Sequence, residues 1–219
     1  MSNFTAMIIS AISRNSLALA LFATITTAVI AATYLGTRDT IAINIRNAEV
    51  RSLNEIIDKA RYDNDLLNDT VAVNDSELLG LRTAKPAYIA RKHGSAIAVI
   101  LPATARDGYS GDIDMIIGIN ADGTLAGVRD TNQKETPGLG DLIARKKSNW
   151  IEQFVGKSLS NPGDAQWKVK KDGGDFDQLT GATITPRAVV AAIYRSQQYF
   201  VAHRAELLGA KTATADSQR

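Results

Sequence analysis

The stretch best equipped for chemistry is DFDQLTGATITPRAVV, residues 175–190, where two aspartates lead through three threonines and one glycine into an apolar run. Gly181 can adopt positive φ, and Ala182 is too small to shield its neighbours. Thr185 followed by Pro186 predicts a helix start, with an N-cap hydroxyl and then proline at the first helical position. Thr183 would then present its hydroxyl beside backbone N–H groups that lack helical partners. With Arg187 in the first turn, a phosphate placed there would meet donors and the positive end of the helix dipole. No histidine or cysteine lies nearby to act as a base, and threonine is a poor nucleophile without one. Two readings follow: a capped helix behind a glycine turn, or a hydroxyl that another enzyme modifies. The second needs only exposure and a recognisable surrounding sequence.

A second stretch, KETPGLGDLI at 134–143, combines polar Glu135 and Thr136 with apolar Leu139. Pro137, Gly138 and Gly140 predict a tight turn there. Glu135 could be solvated or could face a site.

Composition removes several alternatives. The 219 residues contain no cysteine, which excludes disulfides, thiolate chemistry, cysteine-ligated zinc and iron–sulfur clusters. His93 and His203 lack paired metal-ligand spacing. A formal charge of +2, without a basic stripe interleaved with aromatics, argues against nucleic acid. Redox chemistry in such a chain must come from an organic cofactor or from partners.

The elements that would position these stretches begin with SLALALFATITTAVIAATYLG, residues 16–36. Leu17–Leu35 is free of charge, and nineteen residues at ~1.5 Å each span roughly 28 Å, enough to cross a hydrocarbon core. A signal peptide would carry a shorter apolar region, so an uncleaved anchor is expected. Basic residues flank it on both sides, and charge alone leaves the orientation open. Residues 1–15 precede the span. Residues 37–69 are expected to form a stalk, helical to about 67, whose Ile41, Ile45, Ala48, Val50, Leu53 and Ile57 recur at helical steps and pack on the chain's own domain. A compact α+β domain is expected over 70–210, with a flexible tail at 211–219. Within that domain, AYIARKHGSAIAVILPA reads as a hairpin turning at His93–Ser95, and DIDMIIGINADGTLAGVRD as a second turning at 120–123. Short helices are expected in 138–159, a strand at AQWKVKK, and a long amphipathic helix from Pro186 to Leu208.

Asp177-Gln178-Leu179-Thr180-Gly181-Ala182-Thr183 resembles the flavinylation motif of the FMN-binding domain family. In that family a separate flavin transferase joins FMN through its phosphate to the last threonine, which corresponds to Thr183. The resemblance implies that Asp177, Thr180, Gly181 and Ala182 form the recognised context, with Thr185 just beyond it. The KETPGLGDLI loop is similar to the one that precedes the flavin site in such domains. It implies that Glu135 and Thr136 offer polar contacts to the isoalloxazine, with Leu139 and Gly140 beside them. The order of anchor, stalk, hairpin and both loops resembles the G-subunit family of Rnf electron-transport complexes; the C-subunit family of sodium-pumping NADH:quinone oxidoreductases is the main relative to separate from it. The resemblance implies a membrane-anchored electron carrier without NAD or iron–sulfur sites of its own. Its complex would couple electron exchange between ferredoxin and NAD to sodium or proton translocation. The implied setting is the bacterial inner membrane, with the N-terminus cytoplasmic and the large domain periplasmic. The implied partners are the other Rnf subunits. A bitopic assembly protein without cofactor is the alternative from a different class.

Overall fold

The structure, a computed structural model, describes residues 2–209 and the side chains of residues 15–209. The tail expected at 211–219 and the side chains preceding Asn15 lie outside the described residues. The chain divides into two compact units, at Glu49/Val50.

Helix α1, Ser2–Asn54, supplies the first unit and carries an apolar stretch long enough to cross a membrane. Its large side chains from Leu17 to Leu35 are exposed, as a lipid-facing surface requires. Three of the four threonine hydroxyls in this stretch bond back to their own helix: those of Thr24, Thr26 and Thr33 donate to the carbonyls of Ala20, Phe22 and Val29 at 2.8–2.9 Å. The helix expected to continue to about residue 67 ends at Asn54. Ile41 and Ile45 are exposed, and the buried part of that apolar pattern begins at Leu53. The periodic residues beyond Asn54 leave helical geometry because they are drawn onto a sheet.

That sheet is a five-stranded antiparallel meander of β1 (Thr70–Val73), β2 (Lys85–Lys92), β3 (Ser95–Gly108), β4 (Gly111–Asn120) and β5 (Leu125–Asn132), in chain order. Both expected hairpins are present, turning at His93–Gly94 and at 121–124. β3 shows why the sheet is buried on both faces. Val99, Leu101 and Ala103 join the larger core, whereas Ala98 and Ile100 join a second cluster with Leu53, Ile56, Ile57, Tyr62 and Leu66. Alternation along a strand sends these sets to opposite faces. Helix α2, Ile184–Gly209, covers the larger face through Val189, Ile193 and Phe200. The arrangement is α+β, as expected.

The expected short helices are 3-10 turns at Gly140–Ile143 and Trp150–Phe154. AQWKVKK is not a strand of the sheet. Its segment closes on itself, with Asp175 N–H donating to Gln166 O and Lys170 N–H to Phe176 O. Pro162, Gly163, Gly173 and Gly174 bracket the segment and permit that closure. Trp167, Val169 and Phe176 still reach the core.

Candidate functional site

The threonine turn sits where α2 meets the 134–143 loop. Ala182 N–H donates to Leu179 O at 3.1 Å, closing a four-residue turn with Gly181 at its third position and φ of 81°. That is where a type II turn requires glycine. A Cβ at Gly181 would also lie 2.8 Å from the Leu139 side chain, so the turn and the loop approach closely. Thr183 follows immediately, exposed, one residue before α2 begins. Among the described residues no hydrogen-bond partner engages its hydroxyl.

Thr185 does not take the expected cap position. It lies inside the first turn, 1% exposed, and its hydroxyl donates to Glu135 Oε2 at 2.5 Å. A buried carboxylate competes successfully for that hydroxyl. Glu135, 5% exposed, is therefore not a solvated residue. Its other oxygen accepts from the Ser110 N–H at 2.9 Å, at the tip between β3 and β4. Its own backbone N–H donates to Gln133 Oε1. Gly140 makes this packing possible, since a Cβ there would stand 2.6 Å from Glu135 Oε2 and 2.9 Å from Thr185 Oγ1. The loop is closed from within by Asp141, buried, whose Oδ1 accepts from the Gly138 N–H at 2.6 Å.

A cavity of about 410 Å³ opens between these segments, within the ~300–1,000 Å³ typical of ligand sites. Among the expected site residues it is lined by Glu135, Thr136, Leu139, Gly140, Gly181, Ala182, Thr183 and Thr185. Tyr109 and Ile184 complete the lining, and both escaped the sequence reading. The available signal for Tyr109 was an aromatic between two hairpin glycines, Gly108 and Gly111.

Two expected residues stand apart. Thr180 is exposed and does not line the cavity. Asp177 lines a shallow surface depression with Trp150, Lys170, Lys171 and Gln178. Its carboxylate meets Lys170 Nζ at 2.6 Å, and its backbone is clamped by Gln153 Oε1 and the Trp150 indole N–H. Arg187 is likewise engaged elsewhere: it donates twice to Asp172 at 2.6 Å. That hydrogen bonding holds the Asp172 carboxyl below its ordinary range, outweighing desolvation.

Chemically, the site offers a free hydroxyl at a helix N-terminus, a polar floor made by Glu135 and Thr185, and apolar walls from Leu139, Ile184, Ala182 and Tyr109. A phosphate fits the helix end and a planar apolar ring system fits the walls. The carboxylate in the site, Glu135, is bonded to Ser110 and Thr185, and among the described residues no hydrogen bond joins it to Thr183.

Residues 108–197 match the family model of the FMN-binding domain, and residues 1–56 that of the RnfG N-terminal region. The G subunit of the ion-translocating oxidoreductase complex of Pseudomonas aeruginosa strain PAO1 is 50% identical over 200 residues, covering 91% of this chain and 94% of that protein. The protein of the same name from Shewanella oneidensis strain MR-1 is 45% identical over 194 residues, 89% of this chain and 92% of its own length. Among solved structures, the C subunit of the Na(+)-translocating NADH-quinone reductase from Parabacteroides distasonis is 26% identical, with a TM-score of 0.43 over 58% of this chain and 64% of that one.

Proposed function

Since the chain belongs to the G-subunit family of ion-translocating oxidoreductase complexes, we propose that its FMN is held by a phosphoester at Thr183 and relays electrons between neighbouring redox subunits. It is a membrane-anchored subunit with an FMN-binding domain. The observation that carries the attachment reading is the position of Thr183: an exposed, unengaged hydroxyl on the wall of the cavity, at the N-terminus of α2. A hydroxyl without an internal hydrogen-bond partner is free to be modified by a separate flavin transferase.

FMN supplies reversible electron transfer when bound. The protein's residues supply the rest. The first-turn N–H groups of α2 face the phosphate position, while Leu139 and Ile184 exclude water from the ring. Glu135 and Thr185 fix the floor. In the complex, electrons would pass between ferredoxin and NAD, coupled to sodium or proton movement. The remaining subunits would supply the other redox centres. The domain would face the periplasm and residues 1–15 the cytoplasm. On the periplasmic side, a covalent tether would keep the site occupied where free flavin is scarce.

The sodium-pump reading gives way to 50% identity with a G subunit over 91% of the chain. The cofactor-free assembly reading is opposed by the FMN-binding domain match.

The test is the intact mass of the full-length protein co-produced with a flavin transferase. The parent gains one FMN-sized increment and Thr183→Ala gains none. An increment that persists in Thr183→Ala would place the attachment elsewhere.

A further inference from the structure

The wall residue that sequence reading missed has an unusual exposure. Within residues 50–209 the exposed large apolar side chains are Tyr109, Leu139, Val155, Ile184 and Val201, and three of these line the Thr183 cavity. Tyr109 is the most exposed of them, at 68%. Its ring packs on no other aromatic among the described residues. Such a ring remains in water at a cost unless something covers it.

The tip that carries Tyr109 is nevertheless tied down. Ser110 N–H donates to Glu135, and Glu135 accepts from Thr185 in the first turn of α2. The link Ser110–Glu135–Thr185 therefore sets the spacing between Tyr109 and the hydroxyl of Thr183, two residues before Thr185. A buried carboxylate shared between two neutral donors is a costly way to hold a hairpin tip that had no further role.

We propose that Tyr109 stacks on one face of the isoalloxazine ring and that Glu135 is the positioning residue that holds it there. This rests on the FMN reading above. Leu139, fixed against Gly181, and Ile184 provide the apolar contact elsewhere around the ring. Offset stacking between planar rings is the arrangement such a pair prefers.

The experiment uses the full-length protein in detergent, co-produced with a flavin transferase, with attachment read by intact mass and stacking by flavin fluorescence. An electron-rich ring in contact with an excited flavin quenches its emission. Tyr109→Ala should keep the mass increment and raise fluorescence several-fold, while Tyr109→Trp stays as dark as the parent. Fluorescence unchanged in Tyr109→Ala would overturn the stacking assignment and leave Tyr109 to contacts with a neighbouring protein of the complex. Glu135→Ala removes the acceptor that holds the tip's N–H and should brighten the flavin. Glu135→Gln keeps an amide oxygen to accept from the Ser110 N–H, and its NH2 can donate to the Thr185 hydroxyl in place of accepting from it, so it should remain dark. A dark Glu135→Ala protein that still carries the mass increment would overturn the positioning role. If the parent shows no mass increment, the attachment reading alone fails. Stacking is then read from added FMN, which the parent must quench more than Tyr109→Ala does.

Discussion

At the scale of single residues, Glu135 and Gly140 form one packing unit. Gly140→Ala would drive a methyl group against Glu135 and Thr185, and overpacking of this kind costs about 1–3 kcal/mol. Thermal unfolding of the unmodified protein measures it; a midpoint equal to the parent's would mean the loop yields freely. Glu135→Ala should cost more, about 2–4 kcal/mol, because it strands two donors, one of them buried. The threonine turn and the tight turn at 137–140 were legible because turns and helix starts are written in adjacent residues, whereas grouping the two loops into one site came from the family resemblance. It misplaced Thr185 and left Glu135 undecided because their roles depend on each other across fifty positions, a pairing that no local rule contains. Tyr109 escaped for the same reason.

At the scale of elements, the segment leading out of α1 is fastened to β2 by a buried cluster. Asp69 accepts from Arg91 at 2.8 Å, and Asn64 bonds Asp69, Ile89 O and the Arg91 N–H. Asp69→Ala removes the carboxylate from a buried guanidinium, and breaking such a pair costs about 3–5 kcal/mol. Chemical denaturation should show a clearly lower midpoint; a change within error would mean Arg91 is satisfied without Asp69. On β5, burial pushes the Asp130 carboxyl above its ordinary range, opposed by Lys146 and Arg129. A raised folded-state value means that this group favours folding below the ordinary carboxylate range. That contribution is lost as pH rises through the raised value. Asp130→Asn should therefore unfold at a higher temperature than the parent at neutral pH, with the gain fading in acid. Equal midpoints at neutral pH would refute the burial cost. The strands were readable from alternation and turn residues. The end of α1 was not, because helical spacing persists past Asn54 while tertiary packing claims those side chains for the sheet.

At the scale of the whole molecule, the division at Glu49/Val50 predicts where the chain can be cut. A fragment beginning at Val50 keeps Leu53, Ile56 and Ile57 over the second sheet face and should be soluble and cooperative in unfolding. One beginning at Asn68 uncovers Tyr88, Ala98 and Ile100 and should aggregate, as light scattering would show. The lack of native cysteine also allows a clean topology test. Ser95→Cys, at an exposed position, should react with an impermeant maleimide from the periplasmic side; protection until the membrane is broken would reverse the proposed orientation. The strand order, finally, has a consequence in time. Because neighbours in the meander are neighbours in the chain, each strand can pair with its predecessor as the chain emerges on the side of the membrane where the domain folds. The cavity cannot keep that pace, since its last wall arrives with residues 181–185 and is fixed only when α2 docks on a finished sheet. On the proposed attachment, a transferase that reads the folded turn would label only completed molecules, whereas one that reads the bare sequence would also label stalled or truncated chains.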